Sequence, residues 1–266
     1  MQEIQVQQKN AIAVVALNRM AKLNAITRAM YAELLSVMTQ LGEDDSVNVI
    51  ILTGNGEHFS AGFDLGEPPE PSGLQHISNL QTGPNALRWS IWDMAKPVIG
   101  AIKGYCLGGA CELALACDIV MAGDDLQIGE PEILFGVLPA FLIVPWLVGP
   151  QRAKYILLSG KRFRSSEALE LGLVSKVVPV DELEDFVLAF AQELSSRPQP
   201  ALGYLKKAIN RSIEVQGMRS AITMAEEMSG VSHDYHKDGP FRKRVEAVGV
   251  KQALRELRES AETPEE

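Results

Sequence analysis

Glu112 and Glu132 stand in surroundings that suit a carboxyl group to proton transfer. Glu112 follows Ala110-Cys111 and precedes Leu113-Ala114-Leu115, so it enters the first turn of an apolar, small-residue helix. Glu132 sits between Pro131 and the apolar run Ile133-Leu134-Phe135. A carboxylate in such a setting costs free energy unless it is paired or used. Two of them are what acid–base catalysis at neutral pH employs. Taken singly, each glutamate also reads as a negative charge that stabilises a helix start.

Two glycine-bearing stretches accompany them. His58-Phe59-Ser60-Ala61-Gly62-Phe63-Asp64-Leu65 follows the apolar run Val47 to Leu52, and Gly104 to Glu112 follows the strand-like Pro97 to Ile102. Gly108-Gly109 opens the helix that carries Glu112, where unpaired N–H groups and the positive end of the helix dipole favour an anion. Two converging N–H groups would make an oxyanion hole. The alternative is that these glycines only form tight turns.

Other common devices are missing. There is no GxxxxGK[ST] loop, no GxGxxG spacing and no GxSxG elbow. His233 and His236 are three residues apart without further ligands nearby, which predicts a solvated helix face and no metal site. His58 beside Ser60 lacks an orienting acid, so a turn role is expected. Cys106, Cys111 and Cys117 do not have zinc spacing and read as buried thiols of a reducing cytoplasm.

The elements that must position these groups alternate. Two short strands lie within Val6 to Leu17, and Thr27 caps a helix over Ala29 to Leu41. Glu67 to Gly73, rich in Pro and Gly, predicts a flexible surface loop. Strands at 47–52, 97–102 and 118–122, with helices at 85–94 and 110–116 between them, argue for an α/β core. After Gln151 the chain reads as mostly helical, with Ser165 as a cap and one more strand at 176–180. Helices are expected over 181–195, 200–213 and 218–228, before a charged tail from Gly239. A boundary near residues 197–200 divides a core, 1–197, from a helical region, 198–266.

The 266 residues suffice for one large domain or one domain with an appendage, and 46% hydrophobic content supplies a core. The net charge of −9 argues against a nucleic-acid partner. The polar start shows no secretory signal. The apolar stretch Ile133 to Val148, broken by Pro139 and Pro145, is too short to span a membrane and reads as buried core.

Four segments together resemble the crotonase (enoyl-CoA hydratase/isomerase) superfamily. HFSAGFDL is similar to its FxAGxDL segment. KPVIGAIKGYCLGGACELALACDIVMA is similar to KPxIAAVxGxxxGGGxELAxxCDxxxA, GEPEILFGVLP to FxxPExxxGxxP, and NRMAKLNA to NRPxxxNAL. They occur in the family's order over most of residues 10 to 180. The resemblance implies a spiral of ββα units, with a C-terminal helical region that forms homotrimers or dimers of trimers. It implies an acyl-CoA thioester as partner and no cofactor, coenzyme A being part of the substrate. It maps an oxyanion hole onto the N–H groups of Phe63 and Gly109, and the catalytic glutamates of a hydratase onto Glu112 and Glu132. Lys22, Leu23 and Ala25, with Ala61, Phe63, Asp64, Leu65, Gly66 and Gly109, map to substrate-binding positions. Keeping both glutamates points to hydration of a 2,3-unsaturated acyl-CoA or the reverse. Within the same fold an isomerase or a carbon–carbon hydrolase is the alternative. A silent acyl-CoA-binding subunit is an alternative of another class.

The chain departs from the family where GAGGTQRL commonly follows GxxP: here Ala140-Phe141-Leu142-Ile143-Val144-Pro145-Trp146 stands instead. Bulky apolar residues at that point should reshape the acyl pocket. Met20 replaces an early proline, and Asp238-Gly239-Pro240-Phe241 occupies the place of a common C-terminal motif.

Overall fold

The computed structural model describes residues 2–262. The first hairpin, β1 (Ile4–Lys9) and β2 (Ile12–Leu17), turns through Asn10 at φ +55°, in the left-handed region that asparagine tolerates. Four strands then extend it in parallel: β3 (Val49–Gly54), β4 (Val98–Ile102), β6 (Ile119–Gly123) and β9 (Lys176–Val178). Both faces of β3 and β4 are covered, which is why these strands read as unbroken apolar runs.

A second sheet is built from the short β5 (Tyr105–Leu107), β7 (Gln127–Gly129) and β8 (Phe163–Arg164). Strands β4 and β6 of the large sheet are each followed by a short strand of the small one, so the chain winds as repeated β–β units. These short strands sit inside segments whose glycines suggest turns.

The helices are α1 (Arg28–Glu43), α2 (Gly73–Thr82), α3 (Pro84–Asp93), α4 (Gly109–Leu115), α5 (Val144–Val148), α6 (Pro150–Ser159), α7 (Ser165–Leu171) and α8 (Leu183–Ser195). Then come α9 (Gln199–Glu214), α10 (Met218–His236), α11 (Pro240–Val248) and α12 (Val250–Glu262). Thr27 caps α1 as expected, its Oγ1 accepting from Met30 N at 3.2 Å. The face of α1 formed by Met30, Tyr31, Leu34 and Met38 is buried.

Several local expectations change. Ser165 does not cap α7 but begins it, donating its hydroxyl to Asp124 O at 2.8 Å, and Arg164 holds the cap position. Helix α10 runs eight residues beyond the expected 218–228. The segment from Ile133 is only partly core, with Ile133 and Leu138 exposed and Phe141 and Ile143 buried. The Pro-rich loop 67–73 is pinned to its surroundings. Arg28 Nε donates to Glu70 Oε1 at 2.7 Å, Lys237 Nζ to Pro71 O at 2.7 Å, and His233 Nε2 meets Glu70 O at 2.8 Å. Among the described residues no helix is long and apolar enough to cross a membrane.

Candidate active site

The two glycine stretches meet at the ends of β3 and β5. Gly62, at φ +92°, lies so close to Leu107 that a Cβ there would stand 2.5 Å from Leu107 O and 3.5 Å from Gly109 N. Only glycine allows this approach, and it brings the 62–63 peptide beside the first residue of α4. The segment 22–26 braces it from the other side. Ala61 N donates to Leu23 O at 2.9 Å, Ile26 N to Gly62 O at 2.8 Å, and Asp64 N to Ile26 O at 3.1 Å. Buried Asn24 ties the corner by donating to Asn55 O and His58 O. These bonds skip two N–H groups. Among the described residues, neither Phe63 N nor Gly109 N has a protein acceptor.

A cavity of about 460 Å³ opens at this corner. Of the residues singled out in the sequence, Phe63, Asp64, Leu65 and Glu132 line it. Gly109 and Glu112 are not among its lining residues: Gly109 packs against the wall residues Phe63 and Tyr31, and Glu112 holds the N–H of Phe141, next to the wall residue Ala140. Ala61 and Ala25 support the wall through backbone bonds of their segments. Lys22, Leu23 and Gly66 are exposed at the rim side of the corner. Tyr31, Leu80, Phe135, Val137, Leu138 and Phe241 add further wall, mostly apolar. Phe241 stacks on Phe135 with ring centroids 4.6 Å apart, so α11 closes over the cavity of its own chain.

Glu132 sits under the opening of α4. Gly108, at φ +55°, has room for no side chain there, since a Cβ would lie 2.5 Å from Glu132 Oε1. Glu132 Oε2 is buried with no hydrogen-bond partner. Burial first, and the neighbouring charge of Glu112 second, push the Glu132 carboxyl up to about 8. Its surroundings therefore favour the protonated form.

Glu112 is 0% exposed and faces Arg88, also 0% exposed, with Oε2 2.7 Å from Nη2. That contact is a charge pair out of hydrogen-bond alignment, so Oε2 keeps capacity to accept. Oε1 accepts from Phe141 N at 2.5 Å. Burial raises the Glu112 carboxyl, while Arg88 and the N–H groups of Phe141 and Ala140 pull it back. Arg88 Nη1 donates to Asn85 Oδ1 at 2.5 Å, Nη2 to Gly109 O at 3.0 Å, and Asn85 Nδ2 to Glu226 Oε1 at 2.5 Å. A buried polar chain thus runs from α10 through α3 to Glu112. The departure at 140–146 takes part in it: Phe141, entirely buried, packs edge-on to Trp89 and its N–H holds Glu112.

Three members of the site escaped the sequence reading. Arg88 falls inside the expected helix 85–94, where Asn85, Arg88 and Ile91 share a face at three-residue spacing. Glu130 is 1% exposed, and its carboxyl meets only the weak donor thiol of Cys111 among the described residues. Burial, then the charges of Glu112 and Glu132, push it well above the carboxylate range. Tyr31 is 1% exposed, with the Arg88 guanidinium beside its oxygen and no acceptor for its hydroxyl proton among the described residues.

The histidines also differ from expectation. His233 does not face solvent; it stacks on His76 with centroids 4.4 Å apart. With Glu70 the two make a cluster whose ligand-type atoms lie within 4.8 Å of one another. Their ring nitrogens already have partners, His76 Nδ1 facing Glu70 Oε2, His76 Nε2 facing Ser229 Oγ and His233 Nε2 facing Glu70 O. Glu70 is engaged by Arg28, His76 and Asn79, which hold its carboxyl low against the effect of burial. His58 has the turn role expected of it, its Nδ1 accepting from Tyr105 N at 3.2 Å.

The enoyl-CoA hydratase/isomerase family model matches residues 7–242. A 2,3-dehydroadipyl-CoA hydratase of Escherichia coli is 34% identical over 222 residues, 81% of this chain and 84% of that protein. A crotonyl-CoA hydratase of Syntrophomonas wolfei is 33% identical over 217 residues, 80% of this chain and 83% of that one. The crystal structure of an enoyl-CoA hydratase/isomerase from Xanthobacter autotrophicus superposes with a TM-score of 0.85 at 32% identity, covering 99% of both chains. With the parallel sheet, the glycine corner and both glutamates in place, the chain belongs to the enoyl-CoA hydratase/isomerase (crotonase) family.

Proposed function

We propose that the protein is an enoyl-CoA hydratase that adds water across a 2,3-unsaturated acyl-CoA, or removes it from the 3-hydroxyacyl-CoA. One observation carries the reading: Glu132, its carboxyl pushed up by burial, lines the same cavity as Phe63, whose backbone N–H, like that of Gly109, lacks an acceptor among the described residues. The thioester oxygen would accept from Phe63 N–H and Gly109 N–H, so charge that develops on it is stabilised by donors already in place. Glu112, whose carboxylate form Arg88 and the Phe141 N–H favour against burial, would take a proton from water as the water attacks Cβ. Glu132 would give its proton to Cα. The environments of the two carboxyls divide the acid and base roles between them. Relatives named as hydratases at about a third identity support the same chemistry.

The Arg88–Glu112 pair also favours a second reading. If it removes Glu112 from proton transfer, Glu132 alone could move a proton between Cα and Cγ, which is enoyl-CoA isomerisation. Glu112→Gln separates the two. Hydration of crotonyl-CoA falls at least 100-fold if Glu112 is the base. Isomerisation of a 3-enoyl-CoA that is left intact in this variant would favour the second reading.

In this reading no cofactor takes part beyond the coenzyme A that the substrate brings. We also read the C-terminal helices as the surface of a homotrimer or dimer of trimers. Exposed apolar side chains on α9 and α10, such as Tyr204, Ile209, Val231 and Tyr235, support this. A mass of one chain in solution would overturn it. The three buried thiols suit a reducing compartment such as the cytoplasm.

A further inference from the structure

A buried hydroxyl whose proton has no acceptor costs about 1–3 kcal/mol, so packing alone would favour phenylalanine at position 31. Yet the residue is tyrosine, it lines the cavity, and its proton has no acceptor among the described residues, the Arg88 guanidinium beside its oxygen being a donor only. The oxygen is aimed at the glycine corner. It lies 2.9 Å from where a Cβ on Gly109 would stand, and the edge of the Phe63 ring lies 2.4 Å from the same point. Gly109 and Phe63 are the residues whose backbone N–H groups have no acceptor. The lack of a side chain on Gly109 is what lets the phenol reach this spot.

We propose that Tyr31 is a catalytic residue whose hydroxyl donates a third hydrogen bond to the substrate's thioester oxygen, alongside Phe63 N–H and Gly109 N–H. The proposal rests on the acyl-CoA reading of the site. A carbonyl oxygen is satisfied by two donors, whereas an enolate oxygen takes a third, so this bond strengthens as charge develops. Burial holds the phenol well above its ordinary range, and the charges of Glu112 and Glu132 add to this against that of Arg88. Tyr31 therefore keeps its proton and acts as a donor only. Because the hydroxyl proton has no acceptor to give up, the donor is preorganised, at the expense of the resting protein's stability.

The test compares wild type with Tyr31→Phe and Tyr31→3-fluorotyrosine in the full chain. Cinnamoyl-CoA serves as a probe whose absorption moves to the red when its carbonyl is polarised. The proposal expects Tyr31→Phe to melt at the wild-type temperature or above. It expects a smaller red shift, kcat on crotonyl-CoA roughly 10- to 100-fold lower, and KM little changed. Fluorotyrosine, a stronger donor of nearly the same shape, should keep or enlarge the red shift. A wild-type red shift and kcat in Tyr31→Phe would overturn the proposal, as would a loss that the fluorotyrosine variant shares in full. If wild type polarises the probe but does not hydrate crotonyl-CoA, the hydratase reading fails, and the red shifts of the two variants still decide the role of Tyr31.

Discussion

Arg88 and Glu112 form an ion pair, Nη2 to Oε2 at 2.7 Å, in which both side chains are completely buried. Such a pair is costly to assemble and more costly to break, because the remaining charge has nowhere to go. Arg88→Met should therefore destabilise the protein by about 3–5 kcal/mol in chemical denaturation. It should also let Glu112 take up a proton, so that surviving activity falls further at neutral pH than at alkaline pH. A stability loss below about 1 kcal/mol would mean that the pair is not buried as described.

The titration of Glu132 makes a prediction about stability. Its folded-state pKa, about 8, lies above its ordinary value near 4.5. The folded state thus holds a proton that the unfolded chain releases. The stabilisation is fully present below pH 4.5 and is lost as pH rises to about 8. Glu132→Gln should flatten the fall in melting temperature between those limits. An unchanged slope would show that Glu132 does not titrate there.

Glu130 should add to that slope for the same reason, since it is buried, met only by a weak thiol donor and shifted upward. Glu130→Gln should raise the melting temperature at pH 9 relative to pH 6. The Glu132 titration, read from the pH dependence of kcat, should stay in place in this variant, because Glu130 is still protonated while Glu132 titrates. A profile displaced downward would show that Glu130 already carries charge there.

Gly108 lies between α4 and Glu132. Gly108→Ala would put a methyl 2.5 Å from Glu132 Oε1 and force a side chain onto a φ of +55° with ψ −129°. The expected cost is about 1–3 kcal/mol of stability and roughly 100-fold in kcat, as the acid is displaced. Full activity in a folded Gly108→Ala protein would show that the position of Glu132 is not critical.

Much of this site was readable from residue order, and the reasons are local. Apolar runs with turns after them gave β3 and β4, and Thr27 gave the start of α1. The glycine corner and both glutamates followed from strand ends and from charges in apolar settings. Arg88 and Tyr31 did not follow, because a lone arginine or tyrosine in an amphipathic helix ordinarily reaches for solvent. Only the pairing of α1, α3 and α4 in space shows that they face the cavity corner. Helix α2 and the pinning of loop 67–73 were hidden for a similar reason. The ties run to Arg28, His233 and Lys237, far away in the chain.

The central claim is that water is added to an enoyl thioester at the corner formed by Phe63, Gly109 and Glu132. Mass spectrometry of the product formed from crotonyl-CoA in oxygen-18 water tests it most directly. The account predicts a 3-hydroxyacyl-CoA that carries one heavy oxygen, formed by wild type and at least 1,000-fold more slowly by Glu132→Gln. A product of the substrate's own mass, no product at all, or equal rates in the two proteins would contradict it.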